Sequence, residues 1–161
     1  MKKKIILFGA TGNVGSYMAK YLSEYFLCSD YEVIASGRRR VANVFQSMGI
    51  EYISVDITKP EEFANLPTEN VYAVILLAAV IPAYMKEYSA EQYLQTNIMG
   101  TYHVLEYCRK VHADRILFST SIFDISLHNP GEYGLTDDLP LNFSYHGDHS
   151  VYIISKNSGR E

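Results

Sequence analysis

A glycine-rich turn between a predicted strand and a predicted helix constrains this chain more than any other feature. The apolar run Lys4–Phe8 leads directly into the turn, and apolar residues then recur every three to four positions. Glycines in such a turn permit a tight reversal, a close approach of the backbone to a diphosphate and close packing of helix on strand. The free N–H groups and dipole at the helix start attract phosphate oxygens. The turn therefore predicts a dinucleotide-binding site formed by Gly9, Thr11, Gly12, Asn13, Val14 and Gly15.

Four further strand-like runs alternate with helical patterns along the chain. Such alternation predicts a parallel sheet with helices on its faces. The run Val71–Leu77 is apolar almost throughout, as expected for a strand covered on both faces, and we place it at the centre of the sheet. We predict an α/β fold, a Rossmann-like doubly wound parallel sheet of about five strands in the order 3-2-1-4-5 with flanking helices. The predicted strands are Lys4–Phe8, Glu32–Ser36, Glu51–Val55, Val71–Leu77 and Arg115–Ser119.

Helix signals and one long loop complete the pattern. Thr58 and Glu61 fit a capping box, with Pro60 in the first turn of the helix that follows. A longer amphipathic helix is predicted over Ala90–Val111, whereas Phe123–Ser150 contains prolines and glycines without a clear period and predicts a loop over the sheet edge. The buried stripe of the first helix is predicted at Val14, Met18, Leu22 and Tyr25/Phe26.

Composition limits the class of protein. The chain has 161 residues, of which 48% are hydrophobic and 20% charged, and this fits one globular domain better than a disordered segment. A formal net charge of −4 argues against a general nucleic-acid binder. The longest apolar run, Val71–Ile81, is too short for a membrane span, which needs about 20 residues. Cys28 and Cys108 match no metal or disulfide pattern, so we expect free thiols in the cytoplasm.

Two short polar clusters suggest other chemistry only weakly. His146 and His149 are three residues apart, but no nearby Cys or His pair completes a tetrahedral metal site. Asp137 and Asp138 are adjacent in the predicted loop, where neighbouring side chains point apart, and this favours solvated acids over paired catalytic carboxylates. We therefore predict no metal site.

Tyr152 and Lys156 are four residues apart, a spacing that places them on one helix face about one turn apart. A free phenol has a pKa of about 10, and a nearby ammonium lowers the pKa of a phenol because it favours the phenolate. The pair predicts a tyrosine that exchanges a proton at neutral pH. The alternative is an exposed, unreactive Tyr–Lys pair, since the chain has 14 tyrosines.

Six short motifs follow one another in a recognisable order along the whole chain. They are Ile6–Gly15, Val55-Asp56-Ile57, Leu77-Ala78-Ala79, Asn97-Ile98-Met99-Gly100-Thr101, Phe118-Ser119-Thr120-Ser121 and Tyr152-Ile153-Ile154-Ser155-Lys156. In this order they resemble the extended branch of the short-chain dehydrogenase/reductase superfamily. That branch comprises NAD(P)-dependent nucleotide-sugar epimerases, dehydratases and related reductases. The resemblance implies a nicotinamide cofactor and hydride transfer.

The resemblance also implies roles for residues around the cofactor. Asp56 and Ile57 flank the adenine, and Leu77-Ala78-Ala79 backs the cofactor near its phosphates and ribose. Asn97 supports the site from its helix. The alternatives are simple core packing for Ala78 and Ala79, and a local hydrogen bond of a helix-interior amide for Asn97.

Catalytic roles follow from the same resemblance. Tyr152 handles the proton while Lys156 also holds the nicotinamide ribose. A serine or threonine after the fifth strand holds the reacting substrate oxygen; Ser121 fits best, with Thr120 and Ser119 as neighbouring alternatives.

The end of the second strand predicts which nicotinamide cofactor is bound. NAD sites place an acidic residue there, whereas NADP sites place arginine near the 2′-phosphate. This chain has Ser36-Gly37-Arg38-Arg39-Arg40 and no carboxylate, so NADP is preferred over NAD, with Arg38 as its ligand. The alternative is a solvated basic start to the next helix.

Extended members of the superfamily are about twice as long as this chain. We therefore expect residues 1–161 to be a single NAD(P)-binding domain, present as a fragment of an enzyme whose C-terminal substrate domain is absent. The expected substrate is a nucleotide-sugar or a related carbonyl or alcohol, and the resemblance implies homodimers. A simple ketone or aldehyde reductase and a non-catalytic NADP(H)-binding regulatory module are the alternatives.

Overall fold

Five parallel strands form one sheet in the order 3-2-1-4-5, counted along the chain. The computed structural model describes residues 1–82, 87–121, 136, 139–142 and 150–159. The strands are β1 (Lys3–Phe8), β2 (Tyr31–Gly37), β3 (Glu51–Ser54), β4 (Val71–Leu76) and β5 (Arg115–Phe118). The predicted α/β class, Rossmann-like topology and strand order are confirmed, and each predicted strand boundary lies within one residue of the observed one.

Helical segments connect the strands within the described residues. The α-helices are α1 (Asn13–Tyr25), α2 (Asn43–Ser47), α3 (Ala90–Tyr93), α4 (Gly100–Lys110) and α5 (Ser150–Asn157). A 3₁₀ helix spans Pro60–Asn65, and a π-helical turn, Leu94–Met99, joins α3 to α4.

Side chains of β1 alternate between two apolar clusters because successive residues of a strand point to opposite faces. Phe8 packs on one face with Tyr107 of α4, and Leu7 packs on the other with Ala19 of α1. Both faces of β1 are therefore covered by helices. β4 is also covered on both faces, but it lies between β1 and β5 and is not the central strand that we predicted. A two-sided apolar pattern does not distinguish a central strand from its interior neighbour.

α1 packs on the sheet through small residues. Gly15 and Ala19 are its buried positions, and Met18, Leu22 and Phe26 of the predicted stripe are partly buried against the same cluster. Val14 and Tyr25 belong to the predicted buried stripe but are 62% and 69% exposed. That part of the prediction is wrong because it was based on the positions of large apolar side chains. Small residues instead bring this helix close to β1.

The segment after β3 begins its 3₁₀ helix at Pro60, but without the predicted capping box. The Thr58 hydroxyl donates to Asp56 Oδ1 at 2.8 Å, and Lys59 occupies the N-cap position. The acid that reaches back is Glu62, whose carboxylate accepts the Asp56 N–H at 2.7 Å.

The predicted helix Ala90–Val111 is observed as α3, the π-helical turn and α4 in succession. The amphipathic period does not reveal the wider turn in its middle. Such turns are rare and often mark functional sites.

Candidate functional site

The turn between β1 and α1 is packed so closely that two of its glycines have no room for a side chain. Gly9 has a φ of +85°, and a Cβ there would lie 2.6 Å from the backbone nitrogen of Ala78. A Cβ on Gly15 would overlap the carbonyl oxygen of Gly9. Both neighbours are backbone atoms, which cannot move aside as a flexible side chain does. The turn, the start of α1 and the end of β4 are thus held in direct contact.

Backbone hydrogen bonds fix the course of this turn. Gly9 and Ala10 both donate N–H groups to the Ser36 carbonyl at 3.0 Å, and Gly12 donates to the Gly9 carbonyl at 3.0 Å. α1 then begins after Gly12, which has no side chain to cap the helix. The N–H groups of the first helical turn, from Asn13 to Gly15, therefore remain available to an anion.

A cleft of about 500 Å³ lies beside the turn. It is formed where β1, β2, β3 and β4 end, the edge at which open α/β sheets bind ligands. Most of the predicted cofactor residues line it: Gly9, Thr11, Gly12, Arg38, Asp56, Ile57, Leu77, Ala78 and Ala79. The remaining predicted residues, Asn13, Val14, Gly15 and Asn97, lie in the first turn of α1 and in the π-helical turn.

Sequence reasoning missed several residues of the cleft. They are Phe8, Gly37, Arg39, Val55, Thr58, Val80 and Thr96. Most of these residues are adjacent in sequence to predicted ones. Their positions at the carboxyl ends of the predicted strands could have identified them as residues of the cleft. Thr96 lies one residue before Asn97 on the π-helical turn, and no pattern pointed to it.

The segment after β2 is held from two sides. A Cβ on Gly37 would lie 2.9 Å from Thr11 Oγ1, so the side chain of the glycine turn rests on this position. The Tyr52 hydroxyl lies 2.8 Å from the Gly37 carbonyl and 2.6 Å from the Arg39 carbonyl, to which it donates. Burial raises the pKa of Tyr52, which keeps the hydroxyl a donor. Arg38 and Arg39 are exposed at the rim of the cleft.

Asp56 is fixed by its own neighbours. Its Oδ1 accepts hydrogen bonds from the Thr58 N–H at 3.0 Å and the Thr58 hydroxyl at 2.8 Å. The Asp56 N–H donates to Glu62, and this bond, together with Lys59, holds the pKa of the Glu62 carboxyl below its usual range. Ile57 packs against Gly100, where a Cβ would lie 2.7 Å from Ile57 Cδ1. The start of α4 therefore sets the position of this wall.

Asn97 connects the cleft to α5. It is 2% exposed and lies in the π-helical turn. Its Oδ1 accepts the Val80 N–H at 2.8 Å, and its Nδ2 donates to the Val80 carbonyl at 3.0 Å. The same Nδ2 donates to Ser155 Oγ at 3.0 Å. Val80 lines the cleft and Ser155 lies between Tyr152 and Lys156, so one amide ties both regions together.

α5 buries the predicted Tyr–Lys pair. Tyr152 is 6% exposed and its ring centroid lies 5.7 Å from that of Tyr93. Lys156 is 3% exposed, and burial lowers the pKa of its ammonium to about 8. An exposed, solvated pair is therefore ruled out. Lys156 Nζ lies 3.5 Å from the hydroxyl of Ser119, one of the two neighbouring alternatives to Ser121. Ser121 itself is half-buried and follows β5 by three residues.

The two polar clusters that the sequence analysis considered cannot be compared with the structure. His146, His149, Asp137 and Asp138 lie outside the described residues, as does most of the predicted loop Phe123–Ser150. The part of the chain that the structure describes contains no group of three potential metal ligands. Within that same part, no helix is long and apolar enough to cross a bilayer.

Comparison with known proteins decides the family. A sequence profile of the NAD dependent epimerase/dehydratase family matches residues 5–161. The chain belongs to this family. It is 25% identical over 122 residues to a dTDP-D-glucose 4,6-dehydratase of Dictyostelium discoideum, a match that covers 72% of this chain and 28% of that protein. It is 25% identical over 168 residues to the protein CapI of Staphylococcus aureus, covering 96% of this chain and 47% of that protein.

Solved structures share the fold. A uronate dehydrogenase from Agrobacterium tumefaciens, a Tyr-to-Ala variant complexed with NAD, superimposes with a TM-score of 0.73 at 21% identity. The match covers 99% of this chain and 54% of that one. This chain therefore spans about half, or less, of the length of the proteins that it matches.

Proposed function

We propose that this chain is the nucleotide-binding half of an NAD(P)-dependent epimerase, dehydratase or reductase. The observation that carries the proposal is the continuous link from the glycine turn to the Tyr–Lys pair. The turn and Val80 line one cleft, Asn97 bonds both Val80 and Ser155, and Ser155 separates Tyr152 from Lys156. A buried tyrosine one helical turn from a buried lysine is an arrangement that acid–base chemistry can use.

The residues of the turn fit a dinucleotide. Gly9 and Gly15 allow the turn to pack directly on the end of β4 and on the start of α1, and the N–H groups of the first turn of α1 are available to phosphate oxygens. Asp56 and Ile57 would lie against the adenine, and Ala78 and Ala79 leave room for the ribose and phosphates because their side chains are small.

The rim of the cleft supports a preference for NADP over NAD. Arg38 and Arg39 line it, and Gly37 stands where a carboxylate would be needed for the 2′-hydroxyl of NAD. The carboxylate that does line the cleft, Asp56, is already bonded to Thr58. Guanidinium groups bind phosphate in a planar, bidentate geometry, so Arg38 is the proposed ligand of the 2′-phosphate.

In the proposed chemistry, the bound nicotinamide supplies the hydride acceptor and donor. Tyr152 exchanges the proton of the reacting hydroxyl through its phenolic oxygen. Lys156 favours the phenolate electrostatically and donates hydrogen bonds to the ribose. Ser121 donates a hydrogen bond to the substrate oxygen, and burial of the pair excludes water from the proton transfer.

The proposed substrate is a nucleotide-sugar or a related carbonyl or alcohol. Support comes from the names of the matched proteins, which include a dTDP-glucose dehydratase and a uronate dehydrogenase. A thermal-shift titration tests the cofactor first, because a ligand that binds only the folded state raises its stability. NADPH should stabilise the chain more than NADH does. A larger shift with NADH would reverse the assignment of Arg38.

Tyr152→Phe distinguishes an enzyme from a non-catalytic NADP(H)-binding module. Made in the complete enzyme of which this chain is the proposed half, the variant should lose turnover of a nucleotide-sugar panel while its affinity for NADPH stays nearly unchanged. Unchanged turnover would contradict the catalytic assignment. Tyr88→Phe is the matched control, since Tyr88 is 57% exposed and should leave turnover and affinity intact.

The proposed assembly is a homodimer through the π-helical turn, α4 and α5. These segments expose Leu94, Met99, Tyr102, Leu105 and Ile154 by 41–52%. Light scattering of wild type and Leu105→Glu tests this, with a monomeric variant expected. The free cysteines Cys28 and Cys108 are consistent with the proposed cytoplasmic location.

A further inference from the structure

Lys156 is a buried cation without a charged partner in the described part of the chain. Ion pairs there are Lys20–Glu24, Lys59–Glu62 and Arg109–Glu106, and Lys156 belongs to none of them. Moving an ammonium out of water is costly unless another group stabilises its charge. A partner other than a carboxylate is therefore needed.

The aromatic ring of Phe118 is the best-placed partner. Lys156 Nζ lies over this ring, 4.5 Å from its centroid, well inside the ~6 Å range of cation–π attraction. The distance of 3.5 Å to Ser119 Oγ is longer than a typical hydrogen bond. The ring face therefore lies well within its range of attraction, whereas the Ser119 hydroxyl is at the outer limit of a hydrogen bond.

The edge of the ring has a second contact with the segment that carries Lys156. A Cβ on Gly159 would lie 2.6 Å from Phe118 Cζ and 3.0 Å from Cε1, so the backbone after α5 touches the ring edge. Phe118 therefore has the Lys156 ammonium over its ring face and the Gly159 backbone against its ring edge.

We propose that Phe118 is a positioning residue for Lys156, whose ring face keeps the ammonium charged and anchored at the carboxyl end of β5. The inference rests on the proposed function, in which Lys156 acts on Tyr152 and the ribose. An aromatic face stabilises a cation without forming a conventional hydrogen bond. The N–H donors of Lys156 therefore stay available for ligands in the cleft, which a paired carboxylate would prevent.

The other titratable groups near Lys156 are few among the described residues. Tyr152 lies one turn earlier on α5, and Tyr93 of α3 packs against Tyr152. Glu91 of α3 is exposed, and the π-helical turn contributes no ionisable side chain. Burial is the cause that lowers the pKa of Lys156 to about 8, which leaves the charged form only a narrow margin at neutral pH.

Fluorination of the ring tests the proposal without changing its shape. Site-specific 3,4,5-trifluorophenylalanine at position 118 removes the negative ring face, and the titration of Lys156 is followed by NMR of ¹³C-labelled lysine. Lys156→Met identifies the signal. The acid dissociation constant of Lys156 should rise roughly three- to tenfold. The matched control places 3,4,5-trifluorophenylalanine at position 45, where Phe45 stacks on Tyr52. This replacement should leave the acid dissociation constant of Lys156 unchanged.

Three results would overturn the inference: no change at position 118, an equal change at position 45, or a change with Ser119→Ala alone. The cofactor titration on the same samples separates the two proposals. If NADPH and NADH both fail to bind while fluorination raises the constant, the proposed function is wrong and the role of Phe118 stands. If a cofactor binds and fluorination has no effect, only the role of Phe118 is wrong.

Discussion

The glycine turn beside β2 and the Tyr–Lys pair beside β5 are positioned by different kinds of force. In the turn, backbone meets backbone: Gly9 and Gly15 fit because they lack side chains, and the nearby amides donate to carbonyls of the same chain. Around α5, long polar side chains are buried, and residues far apart in sequence hold them, as Asn97 does through Ser155.

This difference determines how substitutions destabilise each region. A turn held by close contact fails sterically, at every pH, when any atom is added. A pair held by buried polar groups fails electrostatically, and its stability depends on protonation. Substitutions in the two regions should therefore differ in size, in pH dependence and even in sign.

Gly15→Ala should have the largest effect. Its Cβ would overlap the Gly9 carbonyl oxygen, and relief requires moving α1 away from β1. We expect the free energy of unfolding to fall by roughly 3 kcal/mol or more, measured by urea denaturation. Gly49→Ala is the control, because Gly49 has a φ of +67° but nothing within 4 Å of a Cβ. Gly49→Ala should lower the free energy of unfolding by about 1–2 kcal/mol. If both substitutions lower it equally, steric overlap with the Gly9 carbonyl is not the main cause of the loss at Gly15.

Asn97→Ala should rank second. It leaves the N–H and carbonyl of Val80 without their side-chain partner and breaks the bond to Ser155. A loss of about 2–3 kcal/mol is expected, together with weaker cofactor binding, since Val80 lines the cleft. Gln95→Ala, an exposed position of the same turn, should change stability by less than about 0.5 kcal/mol. If Asn97→Ala and Gln95→Ala lower stability equally, the loss comes from a change in the π-helical turn and not from removal of the Asn97 amide.

The same contrast explains what could be predicted from sequence. The positions of the glycines, the strands and the Arg38 segment are set by residues close in sequence. Their spacing along the chain therefore predicts where they lie in the cleft. The capping box at Thr58 was wrong because Asp56 and Glu62 compete for the same hydrogen bonds. The burial of Lys156 against Phe118 depends on packing between α5 and β5, which no local pattern encodes. The proximity of Ser119 to Lys156 depends on the same packing.

Lys156→Met should stabilise the protein at neutral pH. Burial lowers the pKa of Lys156 to about 8, whereas the unfolded value is about 10.4. Between these values the unfolded chain binds more protons, so the contribution of this lysine to stability rises with pH and is least favourable below pH 8. The variant should gain on the order of 2 kcal/mol at pH 7, and the gain should vanish near pH 10.5.

Urea denaturation of both proteins from pH 7 to 10.5 measures this difference. Burial also raises the pKa of Cys108, to about 11, which lowers stability as pH rises, but this contribution is common to both proteins and cancels. A variant that is less stable than wild type at pH 7 would show that the contacts with Phe118 and Ser119 outweigh the cost of burial.

Gly37→Asp should have the smallest effect, and on binding rather than stability. The new carboxylate would stand beside Arg38 and Arg39, repel a 2′-phosphate and accept a hydrogen bond from a 2′-hydroxyl. Its Cβ would lie 2.9 Å from Thr11 Oγ1 and 3.3 Å from Thr11 Cγ2, so the Thr11 side chain must shift slightly to accommodate it. The ratio of NADPH to NADH affinity should fall about tenfold, or about 1.4 kcal/mol, in fluorescence titrations. Gly37→Asn adds the same volume without charge; if it changes the ratio equally, shape and not charge selects the cofactor at this rim.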